Sequence, residues 1–348
     1  MKTIFAVDDN HVNLLAAEEA LSAHYNVFTL SSGSLMFELL NDVIPDLILL
    51  DILMPEISGF EALQRLKADK RYSGIPVMFL TSKNDAATEA LGFEMGVVDF
   101  IPKPFSTPVL LNRIKTQLEI EDVIQERTSM LHHRTERLIR LQDSMTSVLA
   151  NMVENRDKLT GKHIERTTKY IKILLNTMLD SSVYSNEINE WDFELVASSA
   201  RLHDIGKVVI TDLILNKPGS LTTDEYTEMK THASEGEKII DCIIAESGDG
   251  SFLNNAKLFA GSHHERWDGT GYPRKLKGVN IPLQGRIMAI ADVYDALVSE
   301  RSYKKAFPHD EAVRIIRESG GTHFDPELTK MFLMCKDEFV KVVQNEFV

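Results

Sequence analysis

Cysteine is almost missing from this chain: Cys242 and Cys335 are the only two among 348 residues. They match no metal-ligand spacing and lay out no disulfide framework, so the expected reading is a pair of buried free thiols. Long apolar runs are missing as well, and no stretch nears the ~20 residues of a membrane span. Positive charge is the scarcer sign, with 38 Lys and Arg against 52 Asp and Glu, for a formal charge of -14. That balance argues against broad contact with duplex nucleic acid or an anionic membrane, both of which favour basic faces. A small anionic ligand is still allowed, because local cations outweigh a distant acidic surface. Aromatics are few at 7%, and 43% hydrophobic with 26% charged residues is the composition of a soluble globular protein. The opening MKTIFAVDDN meets acids after a short apolar run, so it reads as a strand rather than a signal peptide, and a cytoplasmic protein is expected.

The length suits two domains. In the first 120 or so residues, apolar runs at Thr3–Val7, Val27–Leu30, Asp46–Leu50, Pro76–Leu80 and Asp99–Ile101 alternate with helical patterns such as Leu14–Leu21, Leu35–Leu40 and Phe60–Leu66. Five strands interleaved with helices predict an α/β doubly wound parallel sheet, whose sites form at the carboxyl ends of strands. Polar residues fall there: Asp8 and Asp9, Asp51, Thr81 and Lys103. Carboxylates converging on one edge repel each other unless a cation joins them, and a hard, oxygen-loving ion such as Mg²⁺ fits. Thr81 can hydrogen-bond a phosphoryl oxygen and Lys103 can neutralise its charge. Taken singly, each acid could merely cap the next helix; the five positions together speak against that.

These residues resemble the receiver domain of two-component response regulators over residues 1–122: the Asp8–Asp9 pair, LLDILMP around Asp51, LTS at the end of the fourth strand, and the Lys103–Pro104 step. The resemblance implies a flavodoxin-like fold in which Asp51 accepts a phosphoryl group from a cognate histidine kinase. It further implies Mg²⁺ held by Asp8, Asp9, Asp51 and the backbone carbonyl of Leu53. Phe100 falls at the family's aromatic switch position and reads equally as a core residue.

From Ser106 the chain reads as helix, with no Gly until Gly161 and no Pro between Pro108 and Pro218. Ile120, Ile124, Leu131, Leu138, Leu141, Met145, Val148 and Met152 form a loose stripe near heptad spacing. Residues 123–148 are therefore taken as a connecting signalling helix that pairs with a second copy in a homodimer. The alternative is a helix packed against its own domains.

Beyond residue 150 helical periodicity dominates, and residues 149–348 are expected to form an all-α domain. His163, His203, His232, His263 and His264, with Asp204 and Asp292, stand out there, while His11, His24, His132, His133, His309 and His323 are taken as structural or surface residues. One helical histidine is more often structural than a ligand. In LHDIGK, however, a helix can present His203 and Asp204 side by side, with Lys207 one turn on. A carboxylate has two oxygens, so Asp204 can bridge two metals while imidazoles complete each shell. Such mixed ligands suit Fe, Mn, Ni or Zn better than Ca²⁺ or Mg²⁺. Two ions ~4 Å apart activate water near neutral pH, a nucleophile for phosphorus. Arg301 and Lys304, close after Asp292, can stabilise charge on phosphate oxygens.

This half resembles the HD-GYP subfamily of HD-domain phosphohydrolases, from about residue 149 to 335. The match rests on ENRDKLTGKHIERT, LHDIGK, LILNKPGSLT, His232 before Gly236, HHERWDGTGYP, IADVYDAL and FDP. The resemblance implies hydrolysis of cyclic di-GMP to the linear dinucleotide pGpG and sometimes on to GMP. It implies one ion, Fe or Mn foremost, on His163, His203, Asp204 and Asp292, and a second on Asp204, His232, His263 and His264. Asp204 and Lys207 would be catalytic, while Lys207, Arg301, Lys304 and the Gly271–Tyr272–Pro273 turn would bind substrate. Members with a third metal carry a Glu one turn before the first histidine; Leu159 stands there, so two metals are expected and the onward step to GMP loses support. Two other readings remain: the same chemistry on another cyclic dinucleotide such as cyclic GMP-AMP, and an adaptor that binds nucleotide or protein without turnover. Adaptors of this kind lose ligands, and all seven are here.

Overall fold

The computed structural model describes residues 1–82, 86–156, 162–248, 250–300 and 305–344. It separates into two units, Met1–Thr135 and Glu136–Val348.

The first unit is built on five parallel strands, β1 (Thr3–Val7), β2 (Asn26–Leu30), β3 (Leu47–Asp51), β4 (Val77–Thr81) and β5 (Asp99–Pro102), ordered 2-1-3-4-5. Between them run α1 (His11–Leu21), α2 (Gly33–Leu39), α3 (Gly59–Ala68) and α4 (Ala86–Glu94). Alternate residues of each strand face opposite sides of a sheet. Phe5, Val7, Ile48, Leu50, Val77 and Phe79 accordingly pack with Met36, Leu40, Leu63 and Leu66, whereas Ile4, Leu47, Leu49, Met78 and Ile101 pack with Leu21, Leu110, Ile114 and Leu118. Both faces are covered, which is why the central strands are continuously apolar. Asp51 and Thr81 are the last residues of their strands rather than the first beyond them, because the ladder continues through the Asp51–Leu80 and Thr81–Pro102 pairings. The strand order reverses at the β1/β3 junction, where open sheets of this kind place their sites.

The predicted connecting helix is α5 (Thr107–Arg156), fifty residues without a break. Leu110, Ile114 and Leu118 are buried near its start and Ala150 and Val153 near its end. Between and beside these, all eight residues of the predicted stripe are exposed, from Ile120 at 46% to Leu138 at 65%.

The second unit is helical: α6 (His163–Asp180), α7 (Ser185–Ile188), α8 (Phe193–Ser199), α9 (Asp212–Leu215), α10 (Thr223–Ser247), α11 (Ser251–Ser262), α12 (Leu283–Val298), α13 (His309–Glu318) and α14 (Pro326–Gln344). Its core joins Tyr170, Leu174 and Met178 of α6, Ile287, Met288 and Tyr294 of α12, and Phe332 and Phe339 of α14. A capping box starts α10: the Thr222 hydroxyl accepts from the Glu225 amide while the Glu225 carboxylate accepts from that of Thr222. Of the two thiols, Cys335 is buried but Cys242 is exposed, a correction to the expectation for both. Cys242 sits two residues past the buried Ile240 on α10, which turns it about 200° away from the core.

His203 and Asp204 do not lie on a regular helix, as expected, but between two 3₁₀ turns, Ala200–Leu202 and Ile205–Val209. The reason is close packing on α10. A Cβ on Gly206 would come within 1.9 Å of the His232 carbonyl oxygen and 2.4 Å of the Gly236 amide nitrogen. We expect Gly206→Ala to cost about 1–3 kcal/mol of stability, as overpacking does. An unchanged midpoint of urea unfolding would contradict this contact.

Candidate metal centre

Histidines arrive at one place in the second unit from four segments. His163 opens α6, His203 and Asp204 come from the paired 3₁₀ turns, His232 is mid-α10, and His263 and His264 follow α11. His163, His203, His232 and His263 are buried, His163 the most exposed of them at 6%.

Each buried ring is held by one nitrogen. His203 Nδ1 lies 3.0 Å from the Ala200 carbonyl, His232 Nδ1 2.7 Å from that of Met229, and His263 Nδ1 3.0 Å from those of Phe259 and Ala260. A carbonyl only accepts, so Nδ1 donates and Nε2 is left as a lone pair in the neutral ring. These lone pairs face inward: the Nε2 atoms of His232 and His263 are 3.4 Å apart. His203 Nε2 is buried with no hydrogen-bond partner among the described residues. A proton is not available to join them, because burial pushes the His232 pKa down and that of His263 to about 3. His264, half-buried, is likewise held well below the usual range by burial. Lone pairs packed against lone pairs fit a cation.

Asp204 stands between the groups. Its Oδ2 lies 3.3 Å from His203 Nε2, and its Oδ1 lies 3.5 Å from His232 Nε2 and 3.7 Å from His263 Nε2. Burial would raise the Asp204 carboxyl, but the neighbouring cation of Lys207 foremost outweighs it and holds the group well below the carboxylate range. Lys207 Nζ is 2.9 Å from Oδ2. In a 3₁₀ turn residues three apart eclipse, which brings that ammonium over the carboxylate. The potential ligand atoms gather as His163, His203 and Asp204 on one side and His232, His263 and His264 on the other. Asp292 sits beside the first group, its Oδ1 3.6 Å from His163 Nε2. Arg301, Lys304 and Leu159 lie outside the described residues.

The Gly271–Tyr272–Pro273 turn packs against this nest. The Tyr272 ring is 4.7 Å from that of His264, and the Tyr272 amide donates to the His264 carbonyl at 3.2 Å. A Cβ on Gly271 would meet the Arg266 nitrogen at 2.4 Å, so only glycine fits. The organiser of this turn was not singled out from the sequence: buried Glu265 accepts from the amides of Arg274 at 2.7 Å and Leu276 at 2.9 Å.

Asp295 was missed too. It lies 2.7 Å from His163 Nδ1 and receives Arg166 through Nε at 2.6 Å and Nη2 at 2.9 Å. Burial would lower the His163 pKa, yet Asp295 overcomes it and raises the value. The signal was present as spacing: Asp295 is one turn after Asp292, and Arg166 one turn after His163.

In the first unit, Asp8, Asp9 and Asp51 form an acidic cluster at the β1/β3 edge. Lys103 Nζ reaches Asp51 Oδ1 at 2.6 Å and Asp8 Oδ2 at 3.1 Å, while Asn13 Nδ2 donates to both Asp8 oxygens at 3.0 Å. Burial pushes the Asp51 carboxyl up, against the pull of Lys103 and of the Leu53 amide that donates to it. Thr81 is buried, at 5% exposure, at the end of β4. Phe100 is buried in the core, edge-on to Phe79 at 5.7 Å and Phe93 at 5.1 Å.

Comparison with known proteins agrees with this division. Residues 4–115 match the response regulator receiver domain and residues 147–328 the HD domain. A "Probable cyclic di-GMP phosphodiesterase" of Vibrio cholerae is 40% identical over 99% of this chain and 80% of its own length. The "Cyclic di-GMP phosphodiesterase response regulator RpfG" of Xanthomonas campestris is 32% identical over 85% of this chain and 77% of its own. A "3'3'-cGAMP-specific phosphodiesterase 2", also of Vibrio cholerae, is 38% identical over 56% of this chain and 35% of its own.

Removing Asp295 should loosen the His163 ring. We expect Asp295→Asn to weaken metal binding about 10–100-fold, as loss of a ligand-orienting carboxylate does. Titration against a competing chelator checks this; wild-type affinity would show that Asp295 does not orient the ligand.

Proposed function

The chain belongs to the response regulators that carry an HD-type phosphohydrolase domain behind a receiver domain, and we propose that it hydrolyses cyclic di-GMP to pGpG under the control of phosphorylation at Asp51. It is a metal-dependent phosphodiesterase. The observation that carries this reading is the placement of Asp204, with one oxygen toward His203 and the other toward His232 and His263.

On this reading His163, His203, Asp204 and Asp292 hold one ion and Asp204, His232, His263 and His264 the other. The donor set of imidazoles and carboxylates favours Fe or Mn, with Ni or Zn as alternatives. Two such ions supply Lewis acidity and water activated near neutral pH. Asp204 keeps its charge throughout, because Lys207 holds its pKa low. Lys207 brings an ammonium beside the same carboxylate, where it can take a non-bridging phosphate oxygen and stabilise charge developing in the transition state. Gly271, Tyr272 and Pro273 form a wall of the site through the Tyr272–His264 contact, and Tyr272 offers a face on which a base can stack. Arg301 and Lys304 are assigned to phosphate binding on the resemblance alone.

In the receiver, Asp51 takes the phosphoryl group from a cognate histidine kinase, and Asp8, Asp9, Asp51 and the Leu53 carbonyl hold Mg²⁺. Lys103 and Thr81 attend the phosphoryl oxygens, and Phe100 is the switch aromatic. The domains are taken as 1–122 and 149–348, joined by a helix that pairs with a second copy through the exposed stripe from Ile120 to Met152. No helix among the described residues is long and apolar enough to cross a membrane; a cytoplasmic site of action fits the free thiols. A second reading, cyclic GMP-AMP as substrate, draws on the cGAMP-specific relative.

Product analysis on both dinucleotides, with anaerobically purified protein of known metal content, tests the reading. Cyclic di-GMP should yield pGpG, and the double variant His203→Ala/Asp204→Ala should lose at least about 100-fold of that rate. Full activity in the double variant would remove the site assignment, and faster turnover of cyclic GMP-AMP would favour the second reading. Turnover should also differ with and without an acyl-phosphate mimic on Asp51; equal rates would remove the regulatory claim.

A further inference from the structure

The last turns of α5 grip both segments that supply the first group of ligands. Glu154, buried at 6% exposure, accepts the His163 amide on Oε1 at 3.0 Å and also accepts from the Ile164 amide. These are the opening amides of α6, and no local side chain among the described residues caps them. Lys162, the residue that should cap the helix, has φ 115° and no side-chain capping bond. A carboxylate from another helix has taken the place of a cap, and its negative charge suits the positive end of the helix dipole.

Two residues on, Arg156 grips the other segment. Its Nη1 donates to the Val208 carbonyl at 2.9 Å, and its Nη2 donates to that of Ile210 at 3.2 Å and to Asp212 Oδ1 at 2.9 Å. The Val208 carbonyl belongs to the 3₁₀ turn that carries Lys207 and starts at Asp204, and that of Ile210 immediately follows it. Asn216 closes the link by donating to the Arg156 carbonyl at 2.8 Å. Farther back on α5, Ser147 and Asp143 hold Arg201, at 3.0 and 3.4 Å, one residue beyond the carbonyl that orients the His203 ring. Asp143, Ser147, Ala150 and Glu154 recur at three- and four-residue spacing, so one face of α5 carries most of these contacts.

We propose that Glu154 and Arg156 are positioning residues for the metal centre, Glu154 fixing the backbone of His163 and Arg156 fixing the chain that leaves Asp204. Neither touches the reacting atoms. Glu154 acts on one ion, through His163. Arg156 acts on both, through the bridging Asp204. The helix that ends in this clamp is the one assigned to signalling, so a turn or slide of its last residues moves His163 and the His203–Asp204 segment together. This inference rests on the two-ion reading above.

The test is calorimetric titration of the metal-free full-length protein with Mn²⁺, with turnover measured in parallel and folding checked by circular dichroism. Glu154→Ala should weaken one of the two binding events about 10-fold and leave the other within about 2-fold. Glu154→Gln should recover to within about 3-fold, since the amide oxygen still accepts from His163. Arg156→Ala should weaken both events, with Arg156→Lys intermediate. If Glu154→Ala does not fold, Glu154→Asp, with its shorter reach, must show the same single-event loss. Folded Glu154→Ala that binds both ions as wild type does would overturn the proposal. So would Glu154→Gln failing as badly as Ala, which would point to a charge acting directly on the ion. Wild-type protein that takes up no second ion would defeat the metal reading itself and this inference with it; two ions in wild type with no variant effect defeats this inference alone.

Discussion

The convergence of unprotonated imidazole nitrogens on one carboxylate is the constraint to which the rest of the second unit answers. Carbonyls of Ala200, Met229, Phe259 and Ala260 fix the outer nitrogens of three rings, and the inner nitrogens of His232 and His263 then face each other across 3.4 Å. Electrostatics makes such a nest unfavourable unless positive charge enters it. Each feature around it reads as support for holding those lone pairs in place. Gly206 and Gly236 let the 3₁₀ turns sit against α10, Asp295 and Arg166 lock His163, and Glu265 secures the turn that leans Tyr272 on His264.

The first unit solves the same problem at smaller scale. Asp8 and Asp51 are buried side by side at the β1/β3 switch point, and Lys103 bridges them. Its charge offsets part of the cost of burying two carboxylates together, which burial of Asp51 makes evident in a raised pKa. A lysine held there by both acids is also in place for an anion arriving at Asp51. The two sites thus share a principle: electron-rich groups, lone pairs in one and carboxylates in the other, are crowded by the fold so that a specific ion or group is drawn in.

Much of this was legible in the sequence, for physical reasons. Apolar runs and helix periodicity are local, so the five strands and the start of α5 could be read within a residue, whereas α5 ends at Arg156, beyond the 123–148 assigned to the connecting helix. The residues that the fold gathers around Asp204 were legible because His and Asp at those spacings have few other uses together. What escaped were long-range partners. Asp295 and Glu265 look like ordinary helix and loop acids until the fold buries them against His163 and the Gly271–Tyr272–Pro273 turn. Glu154 caps a helix nine residues away in sequence, which no local pattern encodes. The 3₁₀ geometry at His203–Asp204 was also hidden, since it follows from Gly206 meeting the backbone of α10 rather than from the propensity of LHDIGK.

The central claim is that Asp204 joins two ions in one nest. Metal content per chain, measured for anaerobically purified wild type and for Asp204→Ala, tests it most directly. The account predicts two ions per second unit in wild type and the loss of both from Asp204→Ala, with its circular dichroism unchanged. Two ions retained by the folded variant would contradict the bridge and with it the architecture of the site.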